Sequence, residues 1–151
     1  MEPIFEILQH DHKRLQHLMQ EAERTKDTVR RRGLIEELEE TWEMHACAEE
    51  EILYPRLKED ETLETLVDDA FDTFYDVRQS VDRLRGAVEA NAEGERKAAL
   101  SQLKQSLAQH VKEEEREMFP RMRKVFNTAE LEDMRAGFVE VKRQLRREIA
   151  V

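Results

Sequence analysis

Three observations predict an all-α fold: an antiparallel up-down four-helix bundle with an additional C-terminal helix. Apolar positions recur at the helical period along almost the whole chain, and no stretch favours strand alternation. Only 4 Gly and 3 Pro occur in 151 residues, too few for the turn after every strand that a β-sandwich needs. Charged residues make up 40% of the chain and hydrophobic ones 39%, the balance of long amphipathic helices with narrow apolar stripes.

Taken in order, the helical segments lie near 3–26, 31–58, 62–90, 95–125 and 128–149. The breaks carry helix punctuation: Asp27-Thr28, then Lys58 to Glu61, then Asn91-Ala92-Glu93-Gly94, then Asn127 to Glu130, which reads as an N-cap with its capping-box acid. Four segments of roughly 24 to 31 residues joined by loops of about 3 to 5 form a bundle of neighbouring antiparallel helices. The fifth is shorter and places Leu131, Met134, Phe138, Val141 and Leu145 on one face, so it is expected to pack across the bundle or close an end. At about one domain per 150 residues, the expectation is a single domain over 1–151, with the bundle at about 3–125.

Charge narrows the choice of partners. Lys+Arg 25 against Asp+Glu 35 leave a net charge of -10, which repels phosphate backbones and anionic membrane surfaces, so neither nucleic acid nor membrane is expected. The lone Cys47 cannot close an intrachain disulfide, MEPIFEIL has no basic region leading into an apolar stretch, and no run approaches the roughly 20 apolar residues of a span. A cytoplasmic protein is the expectation.

An internal repeat is the most informative feature. His45-Ala-Cys-Ala-Glu49-Glu-Glu-Ile-Leu-Tyr-Pro-Arg-Leu57 aligns with His110-Val-Lys-Glu-Glu114-Glu-Arg-Glu-Met-Phe-Pro-Arg-Met122 at an offset of 65. Upstream, Ile35, Leu38 and Trp42 match Leu100, Leu103 and Leu107. The first and third segments align at an offset of 62, pairing Phe5 with Val67, Leu8 with Ala70, Leu15 with Val77 and Met19 with Val81. On that alignment His12 falls opposite Phe74.

In an α-helix, positions i and i+4 lie about 40° apart, so His45 with Glu49, and His110 with Glu114, each present a nitrogen and a carboxylate on one face. Leu38, Trp42 and Ile52 share the arc of His45, and Leu103, Leu107 and Glu117 that of His110; both pairs point inward. A histidine on an apolar face is commonly a core residue, but a buried unpaired carboxylate costs several kcal/mol unless a cation or strong partner compensates it. Two such pairs suggest a shared cation, and mixed imidazole and carboxylate ligands suit a di-iron or di-manganese centre. The competing reading is a structural ion-pair network. On the first segment His12 lies on the stripe of Phe5, Leu8, Leu15 and Met19, while His10 and His17 point about 140 to 160° away into solvent.

Asp11-His12 followed by two HxxxEE units, each running into a hydrophobic-aromatic-proline signature, resembles the hemerythrin HHE cation-binding family from about Ile4 to Arg123. The resemblance implies a four-helix bundle holding two iron ions as an oxo-bridged centre, with glutamates bridging and histidines terminal. The implied ligands are His12, His45, Glu49, His110 and Glu114.

The pattern departs from the family at Phe74, where another histidine is normal, and no histidine lies between His45 and His110. In this it is similar to the His-poor mycobacterial hemerythrin-like proteins. A site one imidazole short is expected to favour diferric iron, which weighs against reversible O₂ carriage and towards hydrogen peroxide or nitric oxide. The implied function is thus a catalase- or peroxidase-like oxidoreductase, with an O₂, NO or iron sensor or carrier without turnover as the alternative. A metal-free helical interaction module is the third reading, and it requires the inward glutamates to pair with Lys or Arg.

Two tyrosines are candidates for the gap. Tyr75 sits about 100° off the direction of Phe74. Tyr54 leans back toward the metal level, but an ideal helix puts it about 180° from His45 unless Pro55 distorts the turn. Tyr54 is kept as a candidate metal ligand beside the plainer reading of a packing aromatic matched by Phe119. Cys47 reads as an inert thiol, Arg30-Arg31-Arg32 as a solvated run, and the six Met residues as core filling. The clusters Glu49 to Glu51 and Glu113 to Glu115 are expected to hold one inward member each.

Overall fold

The computed structural model describes residues 2–150; Met1 and Val151, the ends of the expected 1–151 domain, lie outside the described residues. Five helical stretches follow one another: α1 (Pro3–Arg24), α2 (28–57), α3 (Glu61–Glu89), α4 (93–125) and α5 (Thr128–Ala150). No strand occurs among the described residues, and no helix there is long and apolar enough to cross a membrane. α1 packs on α2, α3 on α4, α1 on α4 and α2 on α3, which closes four helices around one apolar core.

Local chemistry sets the boundaries. The Asp27 carboxylate accepts from the N–H groups of Val29 and Arg30, at 3.0 and 3.2 Å, so α2 starts at Thr28 rather than near 31. Asp60 caps α3 by accepting from Thr62 N–H at 2.8 Å. Asn91 takes the left-handed conformation, φ 54°, which ends α3 and lets α4 begin at Glu93 rather than near 95. Asn127 Oδ1 accepts from Glu130 N–H while Glu130 Oε1 accepts from Asn127 N–H, at 2.8 and 3.0 Å, the capping box expected at the start of α5.

α2 and α4 are not uniform. Each contains one widened π turn, at Glu49–Leu53 and Glu113–Met118, where Tyr54 N–H donates to Glu49 O and Phe119 N–H to Glu114 O, five residues back. Pro55 and Pro120 lie just beyond. A proline lacks the N–H for the preceding turn and crowds its carbonyl, which favours this extra residue.

The insertion corrects two inward assignments. Past each π turn the buried face moves on by one residue, so Leu53 and Met118 enter the core, while Ile52 is only partly buried and Glu117 is exposed.

α5 lies along α1 and α2 and reaches the π turn of α2. Leu131, Met134, Phe138 and Val141 are buried and Leu145 partly so, the stripe its period predicts. Gly137 permits the close approach: a Cβ there would lie 2.9 Å from Ile52 Cγ2, a contact that the short branched side chain cannot escape by swinging away.

Candidate metal centre

His12 on α1, His45 and Glu49 on α2, and His110 and Glu114 on α4 are all buried and meet in the core. The donor atoms of His12, His45, His110 and Glu114 lie within 4.8 Å of one another. His45 Nε2 is 3.2 Å from His110 Nε2 and 2.9 Å from Glu49 Oε1. His110 Nε2 is 3.1 Å from Glu114 Oε1 and 3.4 Å from Glu49 Oε1, and His12 Nε2 is 2.7 Å from Glu114 Oε1. His10 and His17 are exposed on the far side of α1, as their helical phase requires.

The outer nitrogens are tied to carboxylates. His45 Nδ1 lies 2.9 Å from Asp11 Oδ2 and His12 Nδ1 lies 2.6 Å from Glu115 Oε2; both are assigned as donors, which leaves each Nε2 lone pair facing inward. Lys142 Nζ on α5 donates to both Asp11 oxygens, at 2.6 and 2.8 Å.

These atoms fit a cation. Both Glu49 carboxylate oxygens are buried without a hydrogen-bond partner, and so is His110 Nδ1. A neutral His45, with its one ring proton given to Asp11, has nothing to donate to Glu49; only the imidazolium could. Lone pairs and carboxylate oxygens converging on one dry volume repel unless positive charge sits among them. Mixed imidazole and carboxylate donors suit first-row transition metals, iron and manganese among them.

Titration of the bare site reflects the same need. Burial opposes the imidazolium of His12, but hydrogen bonds to Glu114 and Glu115 outweigh it and raise its pKa. Burial likewise opposes a charged His45, where Asp11 and Glu114 outweigh it. At His110 burial, reinforced by the charges of His45 and His12, lowers the pKa well below the ordinary value, keeping a neutral ring suited to coordination.

Tyr54 enters the site. The extra residue of the π turn takes back about 100° of its expected displacement from His45, and its hydroxyl donates to Glu114 Oε2 at 2.7 Å. Burial, with the charges of Glu113 and Glu50, raises its pKa well above that of a free phenol. Phe119, its counterpart in the repeat, packs on Phe5 at 4.6 Å instead. Tyr75 is 61% exposed and plays no part.

At the position of the missing imidazole, Phe74 fits among aromatic rings. Its centroid lies 5.2 Å from Trp42, 5.5 Å from Tyr54 and 5.5 Å from His110.

The expectation of one inward glutamate per cluster fails in the second repeat. Both Glu113 and Glu114 are buried, because the π turn spreads consecutive residues inward; Glu113 accepts from Thr73 Oγ1 at 2.6 Å and Gln109 Nε2 at 3.0 Å. Sequence reasoning also assigned no role to Asp11 beyond its place in the motif, nor to Glu115 and Lys142. The adjacency of Asp11 to His12 was the only signal for these outer partners.

Cys47 is partly buried and donates to Glu51 Oε1 at 3.3 Å. Burial first, and then the neighbouring carboxylates of Glu51, Glu50 and Glu43, raise its pKa to about 11. At pH 8 its alkylation by iodoacetamide is expected to run at least about tenfold slower than that of a free cysteine, since only thiolate reacts; a rate matching the free thiol would contradict the inert assignment.

No curated protein and no solved structure matches the chain. The family description that does match, hemerythrin HHE cation binding domain, covers residues 4–121, which takes in nearly all of α1 to α4 and every residue of the buried His/Glu cluster. The chain therefore belongs to the hemerythrin HHE cation-binding family.

Proposed function

We propose that the chain is a single non-haem di-iron domain with an up-down arrangement of α1 to α4, whose centre consumes hydrogen peroxide, with nitric oxide as a further substrate or electron donor. The observation that carries this reading is the pair of unpartnered Glu49 oxygens facing the inward nitrogens of His45 and His110. His12, His45 and His110 would hold the irons through Nε2, and Glu49 and Glu114 through their carboxylates. Tyr54 is either a further ligand or the hydroxyl that keeps Glu114 turned inward.

When bound, an iron pair supplies Lewis acidity and one-electron redox steps. The protein supplies the rest. Asp11 and Glu115 orient two of the imidazoles, and Tyr54 holds a proton at its hydroxyl 2.7 Å from Glu114 Oε2. Trp42 and Phe74 exclude water around His110. With His45, Glu49 and His110 at 0% exposure, only small neutral molecules such as H₂O₂, NO and O₂ are suited to enter, through fluctuations of packed side chains. The acidic surface leaves nucleic acid and anionic membranes unsuited as partners, and one partly buried cysteine suits a reducing cytoplasm.

Elemental analysis of purified protein is the first test, with two irons per chain expected and less than half an equivalent of any transition metal sinking the reading. His12→Ala, His45→Ala and Glu114→Ala are expected to lose metal; His10→Ala and His17→Ala keep it. Iron-loaded protein is expected to consume H₂O₂ faster than a metal-depleted control, and His110→Ala is expected to lose both metal and activity. Stoichiometric iron without turnover of H₂O₂ or NO would leave a sensor or carrier in place of an enzyme. Tyr54→Phe decides between its two roles: a changed visible spectrum marks a ligand, and an unchanged one marks the hydroxyl that holds Glu114.

A further inference from the structure

The two imidazoles with carboxylate partners are supported unequally. Behind His12 stands Glu115, partly exposed and joined by the neutral Gln9 amide at 3.3 Å. Behind His45 stands Asp11, which is buried and gripped at both oxygens by Lys142. Asp11 Oδ2 thus receives Lys142 and His45 together, at 2.8 and 2.9 Å.

Lys142 lies on α5, beyond residues 4–121 of the family match. The same helix sets Phe138 edge-on to the His45 ring at 5.8 Å, and Lys142 Nζ sits 5.6 Å from the Phe138 centroid. Lys142 itself is largely buried, at 12% exposure. An ammonium withdrawn from water needs a reason, and a fully occupied carboxylate between it and a ring nitrogen supplies one.

We propose that Lys142 is a positioning residue of the metal centre, holding the Asp11 carboxylate in the one orientation that receives His45 Nδ1–H and so keeps the His45 Nε2 lone pair aimed at the metals. α5 is then part of the site rather than a cover for the bundle. The short branch to His12 needs no such clamp, because Glu115 sits one residue beyond Glu114 on the same helix and is placed by it.

This inference rests on the metal reading above, and iron release from the full chain separates the two. Iron-loaded protein is reduced, mixed with excess ferrous chelator, and the release rate is measured. Lys142→Met is expected to release iron about tenfold faster than the unsubstituted chain, in line with the loss of an outer partner of a metal ligand. Lys142→Arg, which keeps a cation that can reach both oxygens, is expected to restore retention to within about twofold. Asp11→Asn is expected to release iron as fast as Lys142→Met, and the double substitution no faster than either, because the lysine acts only through Asp11.

Met134→Ala controls for a merely structural role. It loosens the docking of α5 about two turns earlier on the same buried stripe, and is expected to keep normal retention despite a lower melting temperature. Equal release from Met134→Ala and Lys142→Met would overturn the proposal, as would independent, multiplying effects of Asp11→Asn and Lys142→Met. Should Lys142→Met fail to fold, Lys142→Gln against Lys142→Arg decides on the same readout. An unsubstituted chain that holds no iron defeats the metal reading itself, a result distinct from normal iron retention in every Lys142 variant.

Discussion

Replacing Glu49 with methionine is expected to make the metal-free protein more stable while abolishing its ability to hold metal. The carboxylate is fully buried and neither oxygen has a hydrogen-bond partner, so the bare fold carries the cost of a desolvated group unless His45, 2.9 Å away, takes up a second proton. An unbranched apolar side chain of similar volume removes that cost, and the expected gain is about 1–3 kcal/mol, the usual cost of a buried polar group left unsatisfied. For a chain of this length each kcal/mol moves the melting temperature by roughly 2–4 °C, a rise readily seen by calorimetry on chelator-treated protein. Iron loading should then stabilise the unsubstituted chain and leave Glu49→Met unchanged. The experiment also decides between the two readings of the buried charges. If Glu49 served an ion-pair network with His45, the substitution would strand the imidazolium and lower stability by about 3 kcal/mol or more.

Trp42→Ala is expected to be the most destabilising single truncation in the core, by about 3–5 kcal/mol. Trp42 is 1% exposed and its ring centroid lies 5.0 Å from His110, 5.2 Å from Phe74 and 6.2 Å from His45. Its loss leaves a cavity that long helices cannot collapse without moving the histidines, so iron retention should fall together with the melting temperature. Phe74→Leu provides the comparison: a smaller void at the same wall is expected to cost about 1–2 kcal/mol and leave metal in place. A Trp42→Ala protein that melts within about 1 kcal/mol of the unsubstituted chain would mean that the site is far looser than close packing implies.

Much of this architecture is legible in one sequence because its signals are local. Helical periodicity depends on which residues face one apolar neighbour, and the five segments appear within a few residues of where periodicity puts them. The capping box of Asn127 and Glu130 and the carboxylate of Asp27 act within three residues of their partners, so their chemistry is written next to the boundary they set. His12, His45, Glu49, His110 and Glu114 could be singled out because i, i+4 spacing and a repeat at offset 65 survive any detail of packing.

The side chains that the structure places differently share one source. An ideal α-helix was continued through Glu49–Leu53 and Glu113–Met118, where the backbone widens by one residue. Ideal phase turns Ile52 and Glu117 inward and Glu113 outward, and brings Tyr54 to the site only if Pro55 disturbs the turn, as the π turn does. Pro55 and Pro120 announced a disturbed turn, but a proline can kink, break or widen a helix, and which of these follows depends on what the helix packs against.

By itself, then, the sequence determined the helices, the inward faces and the five residues with the chemistry to hold metal, since each depends on spacing along a single element. Only the tertiary structure decided the rest. It set Tyr54 on Glu114 across a π turn, closed Phe74 against His110 where an imidazole would otherwise stand, and brought Lys142 to Asp11, 131 positions away along the chain. Such contacts join separate helices, and their geometry comes from how side chains share a crowded core, a property that no periodicity within one helix encodes.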